Sequence, residues 1–318
     1  MFTAIQLTKS AAERAGTHDL ELLEFLNSLY VGGILIVARP VTDKVLAAIQ
    51  NWPDDKRKTY AVRLLQQLTI RGAIKELEFS SSDIRCNCGA GTDDLVDFAV
   101  RGCGGCSLPR SVELSEWAIE KHNLLRQPVI EIKEGDPIST LRSRVLRPLV
   151  RHSESLRVID RYLASDLEDK GRLSNDQRAG LKSICDEIVA SKTCRSLHLV
   201  SGIANSSHNT VIPETERLRY YAQKLLSELT QIIGSVSAEK MDLNVDIHSG
   251  EGWDDLHERR LATNVGEVVV DSGVNWIKSS TSTCHRRTFT SRPPTNFRIR
   301  GKSIRASSVR DQNVTESS

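Results

Sequence analysis

The chain has 318 residues, 39% hydrophobic and 26% charged, with a net charge of +2 and a pI near 8.1. That length can bury one large or two ordinary cores, and two are expected. The balanced charge excludes a globally basic nucleic-acid binder, no run approaches the ~20 apolar residues of a membrane span, and Met1 to Ser10 has no signal-peptide pattern, so a cytoplasmic location is expected.

In chain order, Leu20, Leu22, Leu23, Phe25, Leu26 and Leu29 stand at helical spacing and predict a helix over Ala4 to Tyr30, with Thr17 as a cap. Gly32 to Val37 reads as an apolar strand. Thr42 to Trp52 and Lys56 to Arg71 read as two helices, the second capped by Asp54 or Asp55. Ile74 to Phe79 is a short extended piece, and Ser80 to Pro109 is dense in Gly and Cys with little periodicity. Val112 to Leu125 is expected to be helical. Beyond it, Pro128 to Lys133 reads as strand, Thr140 to His152 as helix and Leu156 to Leu163 as strand. Ser174-Asn-Asp-Gln177 is a capping box opening a helix to Ser191. Arg195 to Val200 is strand, Pro213 starts a helix to about Ile233, and Asp242 to His248 is the next strand.

Strands alternating with helices of this length predict an α/β protein with a largely parallel central sheet. The expected organisation is an N-terminal α/β domain over 1–126 with a cysteine-rich loop at 80–109, a second α/β domain over 127–290, and a basic tail over 291–318. From Cys284 onward the chain carries His285, Arg286, Arg287, Arg292, Arg298, Arg300, Lys302, Arg305 and Arg310 against Asp311 and Glu316. Such a tail either favours an anionic partner or is a solvated, flexible end rich in Ser and Thr.

Cys86-Asn-Cys88 and Cys103-Gly-Gly-Cys106 form a C-x-C and a C-x2-C pair on glycine-containing turns. Four thiolates so arranged can close a tetrahedral, structural zinc site that leaves no open position for substrate; the alternative is a loop of free thiols. Cys185, Cys194 and Cys284 lie in or beside regular elements and are expected in the core.

The strongest functional signal is His257-Glu-Arg259, then Asn264, then Ser272-Gly-Val-Asn275. A strand over Leu256 to Thr263 would project His257, Arg259 and Leu261 to one face, setting an imidazole beside a guanidinium. Asn264-Val-Gly266 supplies turn chemistry and Glu267 to Asp271 a returning strand. Ser272 to Asn275 would come back near the same place. His248 ends a predicted strand, where α/β folds place ligands, and the loop Ser201 to His208 offers hydroxyls and amides without a Walker ending.

This spacing resembles the phospholipase D signature, in which H-x-K is followed by an Asp slot and then a Gly/Ser-x-Asn element. Here the slots hold His257, Arg259, Asn264 and Ser272-Gly273-Val274-Asn275. Residues 128 to 290 also resemble the single-copy phospholipase D-like domains of trafficking proteins and of bacterial defence or mobile-element proteins. Their site strand reads H-D-R and an earlier strand ends in Asp-x-Tyr, here His257-Glu-Arg259 and Asp160-Arg-Tyr162. The resemblance implies a phospholipase D-like α/β sandwich, with His257 as the catalytic group and Arg259, Asn264, Ser272 and Asn275 holding substrate. Arg in place of Lys keeps the charge but not the compact ammonium, and Asn in place of Asp removes a negative charge. The pattern is therefore that of a degenerate site.

The reading is a phosphodiester-binding protein, nucleic acid ahead of lipid, in a prokaryotic defence or mobile-element setting with an operon-encoded partner. One alternative is a homodimeric, metal-independent phosphodiesterase or nuclease with His257 as nucleophile. Another is a non-catalytic assembly protein.

Overall fold

The computed structural model describes residues 3–15, 17–38, 41–77, 96, 98–101, 111–117, 129–191, 193–204, 212–234, 241–250, 255–292, 295, 299–300, 302–308 and 316–317. The chain divides into two compact units: Met1–Pro128 with Ser291–Pro293, and Val129–Thr290 with Pro294–Ser318.

The first unit contains β1 (Thr3–Leu7), α1 (Lys9–Arg14), α2 (Asp19–Gly32), β2 (Gly33–Ala38), α3 (Val41–Gln50), α4 (Asp55–Ile70), β3 (Ile74–Leu77), β4 (Phe98–Arg101) and β5 (Ser111–Glu113). Its sheet has the order β3-β2-β1-β4-β5, and every pairing is parallel. Parallel sheets have both faces covered, so a central strand needs no polar face, and Ala4, Ile5 and Leu7 of β1 are all fully buried. That run was expected as the start of a long helix. A short apolar run has no period that separates strand from buried helix, and Thr8 ends the strand by accepting the Ala11 N–H at 3.3 Å to cap α1. Asp54 caps α4 through the N–H groups of Lys56 and Arg57. Val112, expected to open a helix, lies in β5 beside β4, followed by a 3-10 turn at Leu114–Glu116. Phe25, Leu26, Leu29, Trp52, Leu64, Leu68 and Trp117 fill the core between these elements.

The second unit contains β6 (Val129–Ile132), α5 (Ile138–Leu141), α6 (Arg147–Val150), β7 (Ser155–Ile159), α7 (Tyr162–Lys170), α8 (Asn175–Ala190), β8 (Ser196–Gly202), α9 (Glu214–Ile233) and β9 (Asp242–His248). The hairpin β10 (Arg259–Thr263) and β11 (Glu267–Val270) follows, then β12 (Ile277–Lys278), β13 (Thr283–Cys284), β14 (Arg287–Arg292), β15 (Ser303–Ser307) and β16 (Glu316–Ser317). Between α5 and α6 the helix widens into a π-turn at Arg142–Leu146, where the Arg147 N–H reaches back to the Arg142 carbonyl. Pro148 has no N–H to continue a regular ladder, which accounts for the wide turn just before it. The Ser174/Gln177 capping box opens α8 as expected from sequence.

The nine-stranded sheet runs β16-β15-β9-β8-β7-β10-β11-β14-β6. Expected as largely parallel, it is mixed. β7, β8 and β9 are parallel, whereas β10 runs antiparallel to β7, β11 to β10, β15 to β9 and β14 to β6. One face carries Leu156, Val158, Leu197, Leu199, Val245, Ile247 and Leu261, all buried, and α7, α8 and α9 pack on it. The opposite face carries Arg157, His198, Asn244, Asp246 and Arg305, as the pleat requires from the register.

Residues 303–307, expected within a flexible tail, form β15 at the β9 edge. Ile304 is buried there, and Arg300 holds Asp255 through its backbone N–H and guanidinium, both at 2.8 Å. The Arg and Lys count concealed this because Ser-Ile-Arg-Ala-Ser is a strand alternation set in polar sequence. Cys86, Cys88, Cys103 and Cys106 lie outside the described residues. Cys185, Cys194 and Cys284 are buried free thiols. Among the described residues no helix is long and apolar enough to cross a membrane.

Candidate functional site

The carboxyl ends of β7, β8 and β9 share one rim of the second sheet. Because β10 is antiparallel to β7, its first residue lies on this rim, and the paired end of β11 does too, with Arg259 opposite Val270. The rim thus gathers Asp160, Arg161 and Tyr162 after β7, His257 and Arg259 at the start of β10, and Asp271 to Val274 after β11. Open α/β sheets bind ligands in the crevice outside the carboxyl ends of their strands.

Asp160 organises the rim. It is 1% exposed, and its carboxylate accepts the Tyr162 N–H at 3.0 Å and the Val274 N–H at 2.9 Å. Burial raises its pKa, opposed by those two hydrogen bonds and by the charge of Arg259. Two glycines let the backbone come this close. A Cβ on Gly273 would stand 2.3 Å from Asp160 Oδ2, and one on Gly180 of α8 would stand 1.8 Å from the Val274 carbonyl oxygen. The loop after β11 is therefore clamped between a carboxylate and a helix.

The result is a cluster of two cations and a phenol. The guanidinium carbons of Arg161 and Arg259 each lie 4.8 Å from the centre of the Tyr162 ring, and Arg161 Nη2 donates to the phenol oxygen at 2.7 Å. That hydrogen bond leads in lowering the Tyr162 pKa; burial opposes it, and the charges of both arginines add to it. Arg259 forms no ion pair among the described residues. Its Nη1 makes one long hydrogen bond of 3.4 Å to the Asp271 carbonyl, and its buried Nε has no partner. Ser272 lies beside it with a buried Oγ that has no partner among the described residues. The crevice beneath, lined by Val158, Asp160, Leu261, Val270 and Trp276, has no room for a water molecule. A ligand must therefore approach the guanidiniums from the solvent side.

The residues expected from the signature separate into groups. Arg259, Ser272 and the Asp160-x-Tyr162 pair meet at the rim. His257 precedes the strand rather than lying in it, in an exposed turn, and among the described residues it makes no hydrogen bond. Asn264 is in the turn that closes the hairpin, since Ala262 pairs with Glu267. Five strand steps at about 3.4 Å each set it roughly 17 Å from Arg259. Its amide oxygen is buried without a partner, at the wrong end to share a ligand with the rim. Asn275 is exposed, and its amide oxygen accepts Arg287 Nη2 at 3.4 Å.

Arg161 is the rim residue that the signature does not mark. Its only trace in the sequence is a cation placed between Asp160 and Tyr162. On the opposite face, Asp246 accepts His198 Nε2 at 2.7 Å and Arg305 at 2.7 and 2.8 Å. Burial would raise the Asp246 pKa, but the bonds from Arg305 and His198 outweigh it and hold the carboxyl well below its usual range. Beside this network His248 is buried, its Nδ1 without a partner among the described residues, and burial lowers its pKa. Among the described residues no group of three or more metal-ligating side chains is assembled. No protein-family model matches the chain, and no curated protein matches it.

Proposed function

We propose that the second unit binds a phosphodiester on the rim formed by Arg161, Tyr162, Arg259 and Ser272, with nucleic acid as the ligand class ahead of lipid, as a degenerate phospholipase D-like domain. One observation carries the reading: Arg259 is a guanidinium on the rim formed by the carboxyl ends of the parallel strands β7, β8 and β9, without a carboxylate partner among the described residues. A planar cation left without a counter-charge is suited to take two phosphate oxygens. Arg161 supplies a second cation across the Tyr162 ring. The crevice beneath has no room even for a water molecule and so none for an acyl chain, which leaves the phosphate to be met from outside, as a nucleic-acid backbone presents it. The exposed, unbonded imidazole of His257 favours binding over the histidine-nucleophile chemistry of the active family.

The test is fluorescence anisotropy of labelled single- and double-stranded oligonucleotides against vesicles of anionic lipid, titrated over a range of salt. Arg259→Ala should weaken oligonucleotide binding about tenfold, or 1.4 kcal/mol, and make the salt slope shallower by about one. Asn264→Ala, at the far end of the hairpin, should leave both unchanged. Equal affinities for wild type and Arg259→Ala would remove the reading, and binding to vesicles alone would move it to lipid.

A further inference from the structure

We propose that Tyr162 is the reacting group of this rim: its phenol oxygen attacks the phosphorus of the bound phosphodiester and forms a phosphotyrosyl ester while Arg161 and Arg259 hold the non-bridging oxygens. The inference rests on the phosphodiester-binding reading and deepens it from binding to chemistry.

The geometry is that of an activated nucleophile between two anion holders. The phenol oxygen is bonded to Arg161 at 2.7 Å, and Arg259 covers the same ring at 4.8 Å. Cations placed there stabilise a phenolate and also meet the charge that develops on the equatorial phosphoryl oxygens. The direction of the Tyr162 pKa agrees with this, since Arg161 and Arg259 lower it against the opposing effect of burial.

Position is fixed as well as charge. The Tyr162 N–H is bonded to Asp160, a carboxylate with 1% exposure that also holds the Val274 N–H. One rigid group therefore sets both the start of α7 and the loop that carries Ser272, the pre-organisation that an in-line attack requires. The competing nucleophile, His257, has none of this support. Its imidazole is exposed and, among the described residues, has no partner to orient it or to take its proton.

The step balances without a further reactant than water. The Tyr162 Oη–P bond forms as the P–O bond to the departing alcohol breaks. The phenol proton passes to water, and the departing oxygen is protonated by water. A second water then cleaves the phosphotyrosyl ester, restores the phenol and releases a phosphomonoester.

The test uses the full chain and bis(p-nitrophenyl) phosphate, whose leaving group departs as nitrophenolate and needs no protonation. A stoichiometric burst of nitrophenolate is expected, together with an acid-stable adduct on the Tyr162 peptide in mass spectrometry. The burst rate should rise with pH and level off below the range of a free phenol. Tyr162→Phe, which keeps the ring and the fold, should abolish both burst and adduct. An acid-labile adduct on His257, a burst that survives Tyr162→Phe, or the absence of any adduct would overturn the inference while oligonucleotide binding still stood. Failure of the underlying reading shows separately, as oligonucleotide binding that Arg259→Ala does not weaken.

Discussion

Asp160 and Asp246 are both buried carboxylates of one sheet, yet their surroundings are opposite. Asp246 is met by Arg305 and His198, so its charge and theirs are spent on each other. Asp160 is met by two backbone N–H groups, and the nearby Arg259 faces Tyr162 rather than pairing with it. Their pKa values move apart accordingly, up by burial at Asp160 and down, despite burial, at Asp246. One sheet thus holds a structural ion pair beside a guanidinium that has no carboxylate partner among the described residues. Where backbone donors satisfy the carboxylate, the cation beside it is not drawn into an ion pair with it.

Asp160→Ala has the largest expected effect, because it leaves the buried Val274 N–H and the part-buried Tyr162 N–H without an acceptor. A loss on the order of 4 kcal/mol in urea unfolding of the second unit is expected. A wild-type midpoint would mean that Asp160 does not hold the Val274 loop.

Arg305→Ala should cost less, about 1 kcal/mol near neutral pH, since the arginine side chain is 49% exposed and screened by solvent. The sign of its pH dependence follows from the lowered Asp246 pKa. The stabilisation is present above the unfolded carboxyl value, about 4, and is lost as pH falls through the folded value. The gap between wild type and Arg305→Ala should therefore close on acidification. Asp160, with its raised pKa, contributes with the opposite sign: its share is fully present below that unfolded value and is lost as pH rises through the folded one. A gap that widens in acid would contradict the assignment of Asp246.

Arg259→Ala should have the smallest effect on stability, within about 0.5 kcal/mol of wild type, because among the described residues it forms no ion pair and makes one long hydrogen bond. Its cost belongs to ligand affinity. A large loss of stability with unaltered oligonucleotide binding would make Arg259 a structural residue.

Much of the second unit was legible in the sequence. Asp242–His248, the α8 capping box and the Pro213 helix start fall where local signals put them, because each is fixed by neighbours in the chain. β1 was missed because a short buried strand and one face of a helix look alike over five residues. β15 was missed because its partner, β9, is remote in sequence. The Asp160-x-Tyr162 pair and Arg259 of the H-x-R pattern do come together at one rim of the sheet. The patterns could not separate Arg259 from Asn264, since five residues read alike whether the hairpin turns before or after them, and only the pairing of Ala262 with Glu267 puts them at opposite ends. Arg161 carried no pattern at all.

The place of β15 bears on how the second unit assembles and how it can be dissected. β9 precedes the hairpin, but its outer hydrogen-bonding edge is completed only when Ser303 comes back to His248 and Arg305 to Asp246. Closure over so long a separation is slow relative to hairpin formation, so nascent chains pass through a stage with β9 unprotected. A fragment cut at residue 290 would make that stage permanent, with bare strand edge and an unmatched carboxylate. It should aggregate by edge-to-edge pairing where the intact chain stays monodisperse.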